Sequence, residues 1–203
     1  MKIKIFLLSL VCLFLITIIN KQNDLIRIPK EERELVKIKE KIKKGRVKNI
    51  NDGDSFVLED NSRIRLFAID APELNQTCAL TSESTIDDKV VSRTEDVRCG
   101  EDAKNKLNEL IGNNEITCLI KGEDAYGRLV GECSFEIYNR RTRRRDKINI
   151  NKEMILSGNA VAFLSISDKY LEDENKAKQE NRGIWATTFD IPSIYRKKNS
   201  KNH

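Results

Sequence analysis

Alternating apolar and polar positions predict three short strands in the middle of the chain. Residues 47–50 and 55–59 flank Asp52-Gly53, a pair typical of tight hairpin turns. Residues 63–69 alternate charged and apolar side chains and predict the third strand. Residues 74–98 show no periodicity, so we expect a long loop, which in a compact domain tends to be functional or tied down.

Helical spacing follows over residues 100–111, before Gly112 as a candidate C-cap. Residues 115–121 and 129–137 predict two more strands around a turn at 124–127. Two further helices are expected over 151–156, with Asn151 as N-cap, and over 170–182. The order of elements predicts an α+β fold, a five-stranded OB-like Greek-key β-barrel with about three α-helices.

The start of the chain has the pattern of an exported protein. Lys2 and Lys4 precede an apolar run over residues 5–19, which is shorter than a helix needs to cross a bilayer. No small-x-small cleavage site follows the run, so a signal peptide and an uncleaved membrane anchor both stay open. We predict four segments: signal peptide or anchor over 1–22, charged linker over 23–45, one domain over 46–190, and a disordered basic tail over 191–203.

Cysteine spacing supports export to an oxidising compartment. Cys12 lies in the apolar run, and four cysteines remain: Cys78, Cys99, Cys118 and Cys133. They are too scattered for a zinc site, although reduced structural thiols stay an alternative. Cys118 and Cys133 lie symmetrically about the turn at 124–127, and Cys78 and Cys99 bracket the predicted loop. We therefore expect the disulfides Cys78–Cys99 and Cys118–Cys133.

Composition limits the chemistry that the domain can perform. The net charge of +5 suits a polyanionic partner without proving one. The single histidine is the terminal His203, which excludes nucleases that use a histidine as base or acid. Any hydrolysis must therefore depend on carboxylates, arginines and a bound metal.

Such residues cluster where the predicted strands begin and end. Asp52 and Asp54 lie in the first turn, Asp52 being needed more by the turn itself. Arg63 and Arg65 share one face of the third strand, which leads into Asp70 and Glu73. Arg128 follows the turn at 124–127 and is preceded by Tyr126. Carboxylates can hold a hard divalent cation, and arginine forks can bind phosphate oxygens.

Together, Asp-Gly-Asp54-Ser, Ile-Arg65-Leu-Phe-Ala-Ile-Asp70-Ala-Pro-Glu73 and Asp-Ala-Tyr126-Gly-Arg128 resemble, in order and spacing, the signature of the staphylococcal nuclease family. The resemblance covers about two-thirds of the chain. It implies an OB-like fold and calcium-dependent cleavage of DNA and RNA that leaves 3′-phosphates.

The resemblance also implies a role for each matched residue. Asp54, Asp70 and the backbone carbonyl of Ala71 would bind one Ca²⁺ ion. Arg65 and Arg128 would clamp the phosphate, and Glu73 would activate water. Tyr126 and Phe163 would contact the substrate. Ala71 stands where the best-known members have threonine, and Phe163 and Ser165 stand where they have tyrosines lining the nucleotide pocket.

Two other readings stay open from the sequence. The domain could be a catalytically inactive OB-type module that binds nucleic acid, or a membrane-tethered structural or adhesion protein. The basic run over 140–147 is either a nucleic-acid contact or a solvated loop. We expect a monomer with DNA or RNA as its partner, and membrane association through residues 5–19 if the anchor is kept.

Overall fold

A computed structural model describes residues 41–86 and 89–200 of the chain. The predicted signal or anchor segment and most of the charged linker lie outside these residues. None of the helices in the described part has the length and apolar character needed to cross a bilayer.

All five predicted barrel strands are present. They are β1 (Ile42–Ile50), β2 (Ser55–Leu58), β3 (Arg63–Leu66), β7 (Glu115–Glu123) and β8 (Leu129–Asn139). The sheet order is β3-β2-β1-β7-β8, and a parallel pairing of β3 with β8 closes the barrel. The predicted α+β, OB-like barrel is therefore confirmed.

The third predicted strand is shorter than the sequence indicates. It ends at Leu66, and Ala68 takes a positive φ of 57° before a short strand β4 (Ile69–Asp70) begins. β4 pairs with β10 (Val161–Ala162). This break turns the chain so that Asp70 leaves the barrel strand and lies in a separate two-stranded sheet.

The prediction of a long loop over residues 74–98 is wrong. The segment forms a two-stranded ribbon of β5 (Cys78–Ile86) and β6 (Lys89–Val97), in continuous antiparallel register from Cys78–Val97 to Ile86–Lys89. Its strands lack an apolar alternation because residues 90–96 are all exposed, so neither face of the ribbon is buried. The ribbon is tied down at its base, where Ala79 exchanges two backbone hydrogen bonds of 2.9 Å with Thr188.

The basic run after β8 is also more regular than a loop. A sixth sheet strand, β9 (Arg144–Asn149), pairs with β8 from Ser134–Asn149 to Asn139–Arg144. The hairpin tip, residues 140–143, is exposed and contains three arginines. The arginines therefore lie at the far end of β8 from the turn at 124–127.

In residues 41–86 and 89–200, four α-helices surround the barrel. They are α1 (Cys99–Ile111), α2 (Ile150–Leu156), α3 (Leu171–Gln179) and α4 (Pro192–Asn199). The first three correspond to predicted helices. The fourth helix lies where the sequence predicted a disordered tail, and that prediction is wrong. Pro192 stands at the first helical position, where its fixed φ favours helix initiation, and it is buried.

The predicted N-cap of α2 is wrong. Asn149 caps this helix by accepting a 3.0 Å hydrogen bond from the backbone of Lys152. Asn151 instead lies inside the helix and is fully buried. Its side chain accepts from the backbone nitrogen of Cys133 and donates to the carbonyls of Phe67 and Gly131. Asn151 therefore joins α2 to β8 and to the turn before β4.

The apolar core fills the barrel and the space beneath α1 and α2. Alternate residues of β3, Ile64 and Leu66, point inward and are almost fully buried. They pack with other core residues from strands and helices: Phe56, Leu58, Ile69, Leu107, Ile111, Ile116, Ile150 and Met154. The periodicity that predicts the strands is thus the periodicity of core contacts.

The structure contains both disulfides at the expected pairs. Cys118 and Cys133 are directly opposite each other across β7 and β8. Cys78 and Cys99 join the base of the ribbon to the start of α1. Closing loops of this size stabilises the fold by about 3 kcal/mol per bridge.

Candidate active site

The first turn of the barrel is shaped by Asp52. One of its carboxylate oxygens accepts hydrogen bonds from the backbone of Asp54 at 3.0 Å and from the hydroxyl of Ser55 at 2.8 Å. These contacts explain why Asp52 is needed by the turn. They also direct the next carboxylate, Asp54, into the protein, where only 2% of it is exposed.

Asp54 and Asp70 form a buried pair of carboxylates. Asp54 Oδ2 accepts a 2.8 Å hydrogen bond from the backbone nitrogen of Ala71, and Asp70 is 1% exposed. Two buried negative charges at one place need cationic partners, since an unpaired charge in the interior is very unfavourable.

Arg65 joins the two carboxylates. One terminal nitrogen of its guanidinium pairs with Asp54, and the other donates to Asp70 Oδ1 at 2.9 Å. The second nitrogen also contacts the carbonyl of Ile69 at 3.3 Å. Burial lowers the pKa of Arg65, and the charge of Asp70 opposes this shift. Arginine nevertheless stays protonated in proteins, so Arg65 is a fixed positive charge between two negative ones.

Arg128 is oriented by the turn that precedes it. Asp124 Oδ1 accepts from the backbone nitrogens of Tyr126 and Arg128 at 2.9 and 3.0 Å, and its Oδ2 accepts from Arg128 Nε at 2.7 Å. Burial acts to raise the pKa of Asp124, but these hydrogen bonds outweigh it and lower the pKa. Among the described residues, the terminal nitrogens of Arg128 have no hydrogen-bond partner, so they are available to bind an anion.

The other arginine of the third strand, Arg63, makes a structural contact instead. Arg63 donates from its guanidinium to the carbonyl of Tyr126 and so holds the turn against β3. The ring of Tyr126 is 75% exposed and lies 5.7 Å from the guanidinium carbon of Arg128. Tyr126 can therefore contact a ligand that Arg128 binds.

Glu73 lies on the segment that leaves β4. The carbonyl of Glu73 accepts from the backbone of Gln76 at 2.7 Å, and its backbone nitrogen donates to the Gln76 side chain at 3.2 Å. Gln76 is fully buried and donates a 2.6 Å hydrogen bond to the carbonyl of Asp190. Sequence reasoning missed Gln76, because it lies in a stretch without periodicity.

One open cavity of about 610 Å³ brings these groups together. Six predicted site residues line it directly: Asp54, Arg65, Ala71, Glu73, Tyr126 and Arg128. Phe163 also lines the cavity, held by a 3.0 Å hydrogen bond from its backbone nitrogen to the carbonyl of Ala68. Asp70 lies behind this lining, in contact with Arg65. The predicted site residues are therefore neighbours, although they come from four separate segments.

A further arginine enters the cavity from α4. Arg196 Nη1 donates to Asp70 Oδ1 at 3.0 Å and to Glu73 Oε1 at 2.6 Å, and its Nη2 donates to Asp70 Oδ2 at 2.9 Å. Burial would lower the pKa of Arg196, but the hydrogen bonds with Asp70 and Glu73 raise it. Sequence reasoning missed this residue because it assigned the basic tail to disorder.

The donor set fits a hard divalent cation. Asp54 and Asp70 supply carboxylate oxygens, the ligand type that Ca²⁺ and Mg²⁺ take. No group of three acidic, cysteine or histidine side chains with metal-site spacing occurs in residues 41–86 and 89–200. A cation held here would therefore need backbone carbonyl and water oxygens in addition to the two carboxylates.

Comparison with known proteins agrees with this geometry. Residues 63–187 match the model of a family described as staphylococcal nuclease homologue. The match includes Arg65, Asp70, Glu73 and Arg128.

Curated proteins from bacteria and plants are similar to the chain. The succinoglycan biosynthesis protein ExoI of Rhizobium meliloti is 31% identical over 139 residues, 68% of this chain and 62% of that protein. An uncharacterized endonuclease of Escherichia coli is 26% identical, with 73% of this chain and 80% of that protein covered. The probable staphylococcal-like nuclease CAN3 of rice is 28% identical over 69% of this chain and 29% of that protein.

The chain thus spans less than two-thirds of the Rhizobium relative, and the plant protein is much longer. The family model matches more than half of the chain, and the chain therefore belongs to the staphylococcal nuclease homologues.

Proposed function

We propose that this chain is an exported, calcium-dependent nuclease that hydrolyses phosphodiester bonds in DNA, RNA or both and leaves 3′-phosphates. The observation that carries the proposal is the single cavity lined by Asp54, Arg65, Glu73 and Arg128, with Asp70 in contact behind it. Membership of a nuclease family supports the same conclusion.

Two arginines are suited to bind the scissile phosphate. Arg128 keeps its terminal nitrogens free of hydrogen bonds to the described residues, while Asp124 fixes its Nε. Arg65 is held between Asp54 and Asp70 and cannot swing away without leaving buried charges unpaired. Preorganised donors of this kind stabilise the charge that develops on the phosphate oxygens in the transition state.

Glu73 is suited to take a proton from water. Its carboxylate is 36% exposed in the cavity, so water can reach it. In the proposed step the water oxygen bonds to phosphorus, the bond from phosphorus to the 5′-oxygen breaks, and Glu73 accepts the proton of the water. Solvent protonates the departing oxygen, and Arg128 can stabilise that oxygen by donating a hydrogen bond to it.

Asp54, Asp70 and the carbonyl of Ala71 would hold the cation. When bound, the cation supplies positive charge to the phosphate and polarises its oxygens. Tyr126 and Phe163 line the cavity and can contact the nucleotide. The two disulfides support export, since such bonds persist in oxidising compartments.

One observation favours a second candidate function. Arg196 pairs with both Asp70 and Glu73, and a site held in that state would bind nucleic acid without cutting it. The alternative is an OB-type binding module that uses the barrel and Arg128.

Cleavage of single-stranded DNA by the full-length chain, in calcium and in EDTA, separates the two functions. We expect cleavage in calcium only, and a loss of at least 100-fold in rate for Glu73→Gln and for Arg128→Ala. The matched controls are Glu95→Gln and Arg93→Ala on the exposed ribbon, which should cut normally. Binding without cleavage in calcium, magnesium and manganese would establish the binding module instead.

A further inference from the structure

The side chain of Arg196 pairs with two residues that have separate roles in the proposed function. Asp70 is a proposed cation ligand, and Glu73 is the proposed base. Arg196 contacts both oxygens of Asp70 and one oxygen of Glu73, all within 3.0 Å. A single side chain therefore blocks both the cation ligand and the base.

Helix α4 is placed against the site by contacts on both sides. The carbonyl of Asp190, just before the helix, accepts from the buried Gln76, which also holds the backbone of Glu73. The hydroxyl of Tyr195 donates to the carbonyl of Asn75 at 3.3 Å. The helix is thus anchored to the same segment that carries Glu73.

The helix is nevertheless shallowly docked. Pro192 is its only buried residue, and Ile194 is 43% exposed. Segments that bury little apolar surface open at low free-energy cost. The guanidinium of Arg196 can consequently leave the carboxylates without unfolding of the barrel.

Charge makes the two occupants mutually exclusive. Three carboxylates, those of Asp54, Asp70 and Glu73, face two guanidiniums, those of Arg65 and Arg196. A divalent cation on Asp70 would meet Arg196 at hydrogen-bond distance from the same oxygens, and two cations on one carboxylate repel each other. Arg65 contacts only Oδ1 of Asp70 and leaves Oδ2 to a cation, whereas Arg196 covers both oxygens.

We infer that Arg196 is an intramolecular competitor of the divalent cation, and that α4 closes the site until the cation displaces the guanidinium from Asp70. The same displacement frees Glu73 to accept a proton, so cation binding and activation of the base are coupled. This inference rests on the proposed function. The helix that provides Arg196 lies outside residues 63–187, the part of the chain that matches the family.

Calorimetric titration of the full-length chain with calcium, without substrate, tests the competition. We expect Arg196→Gln to bind calcium on the order of tenfold more tightly than the wild type, because the competing state is removed. Arg196→Lys, which keeps the charge and loses the bidentate contact, should fall between them. Lys197→Gln, a charge removal at an exposed position of the same helix, should bind like the wild type.

Hydrogen exchange provides a second readout that needs no activity. Calcium should speed exchange of the α4 amides in the wild type, and Arg196→Gln should exchange fast with or without calcium. Equal or weaker calcium affinity in Arg196→Gln, or the absence of calcium binding in both proteins, overturns the inference. If the affinities shift as expected but no cation supports cleavage, the proposed function fails and the competition stands.

Discussion

A Cβ atom built on Gly100 would lie 1.8 Å from the carbonyl oxygen of Glu73. The start of α1 and the segment that carries the proposed base are therefore in direct backbone contact, with Gly100 donating a 3.2 Å hydrogen bond to the carbonyl of Gln76. Only a residue without a side chain permits this approach.

We expect Gly100→Ala to displace Glu73 and to reduce nuclease activity by about tenfold or more, since small misplacements of catalytic groups are costly. The added methyl group should also destabilise the fold by about 1–3 kcal/mol. Gly45→Ala is the control, because its nearest neighbour would be at 3.7 Å, an ordinary contact. Normal activity in Gly100→Ala would show that the placement of Glu73 does not depend on this contact. Activity and urea unfolding measure the two effects.

Asn151 should be among the most sensitive buried polar residues of the described structure. Asn151→Ala removes three hydrogen bonds. The backbone nitrogen of Cys133 loses its acceptor, and the carbonyls of Phe67 and Gly131 lose a donor. We expect a loss of about 3 kcal/mol in the free energy of unfolding, measured in urea. The N-cap variant Asn149→Ala should cost only about 1 kcal/mol. Similar losses for the two variants would mean that the buried network contributes little.

The arginines of the β8–β9 hairpin should bind substrate far from the cavity. β8 has 11 residues, so at about 3.3 Å per residue its two ends lie up to roughly 33 Å apart, with Arg128 before one end and the tip after the other. We expect a triple substitution of Arg141, Arg143 and Arg145 by glutamine to raise KM for a 30-nucleotide strand about tenfold. In a plot of log affinity against log salt concentration, the negative slope should become smaller in magnitude by about 2.

A dinucleotide cannot reach the hairpin, so its cleavage by the triple variant should be unchanged. The matched control removes three other exposed charges, at Arg93, Lys176 and Lys197. Equal effects of the two triple variants would indicate that net charge alone is responsible. Binding to anionic vesicles rather than to long DNA would assign the hairpin to a membrane surface.

Stability should depend on pH through Asp124. The pKa of this carboxyl is lower in the folded protein than its ordinary value of about 3.9. Asp124 therefore stabilises the fold above about pH 4, and this contribution is lost as the pH falls through the folded pKa. We expect Asp124→Ala to lose about 2 kcal/mol at pH 7, and the difference from the wild type to shrink below pH 4. A difference that is independent of pH would rule out this origin. Urea unfolding at several pH values provides the measurement.

The barrel was predictable because each of its strands buries one face. Ile64 and Leu66 alternate with Arg63 and Arg65, and that pattern separates core from surface directly. The β5–β6 ribbon and β9 bury neither face in this way, so backbone pairing holds them and periodicity gives no signal. Their prediction required long-range information that a single sequence does not contain.

The site was predictable only in part, for a related reason. Motif spacing indicates Asp54, Asp70, Glu73 and the arginines at 65 and 128, whose places depend on strands and turns close to them in sequence. Arg196 reaches Asp70 from 126 residues away. Its position depends on Gln76 contacting Asp190, a tertiary contact that neither segment reveals alone.

The ribbon has a consequence for protein engineering. Its base is closed covalently by Cys78–Cys99 and by the hydrogen bonds of Ala79 with Thr188. We therefore expect changes beyond this closure to leave Glu73 and α1 in place, and the ribbon to tolerate being shortened, lengthened or exchanged as a unit. It is therefore the natural position at which to graft a recognition peptide or a reporter sequence onto this nuclease fold.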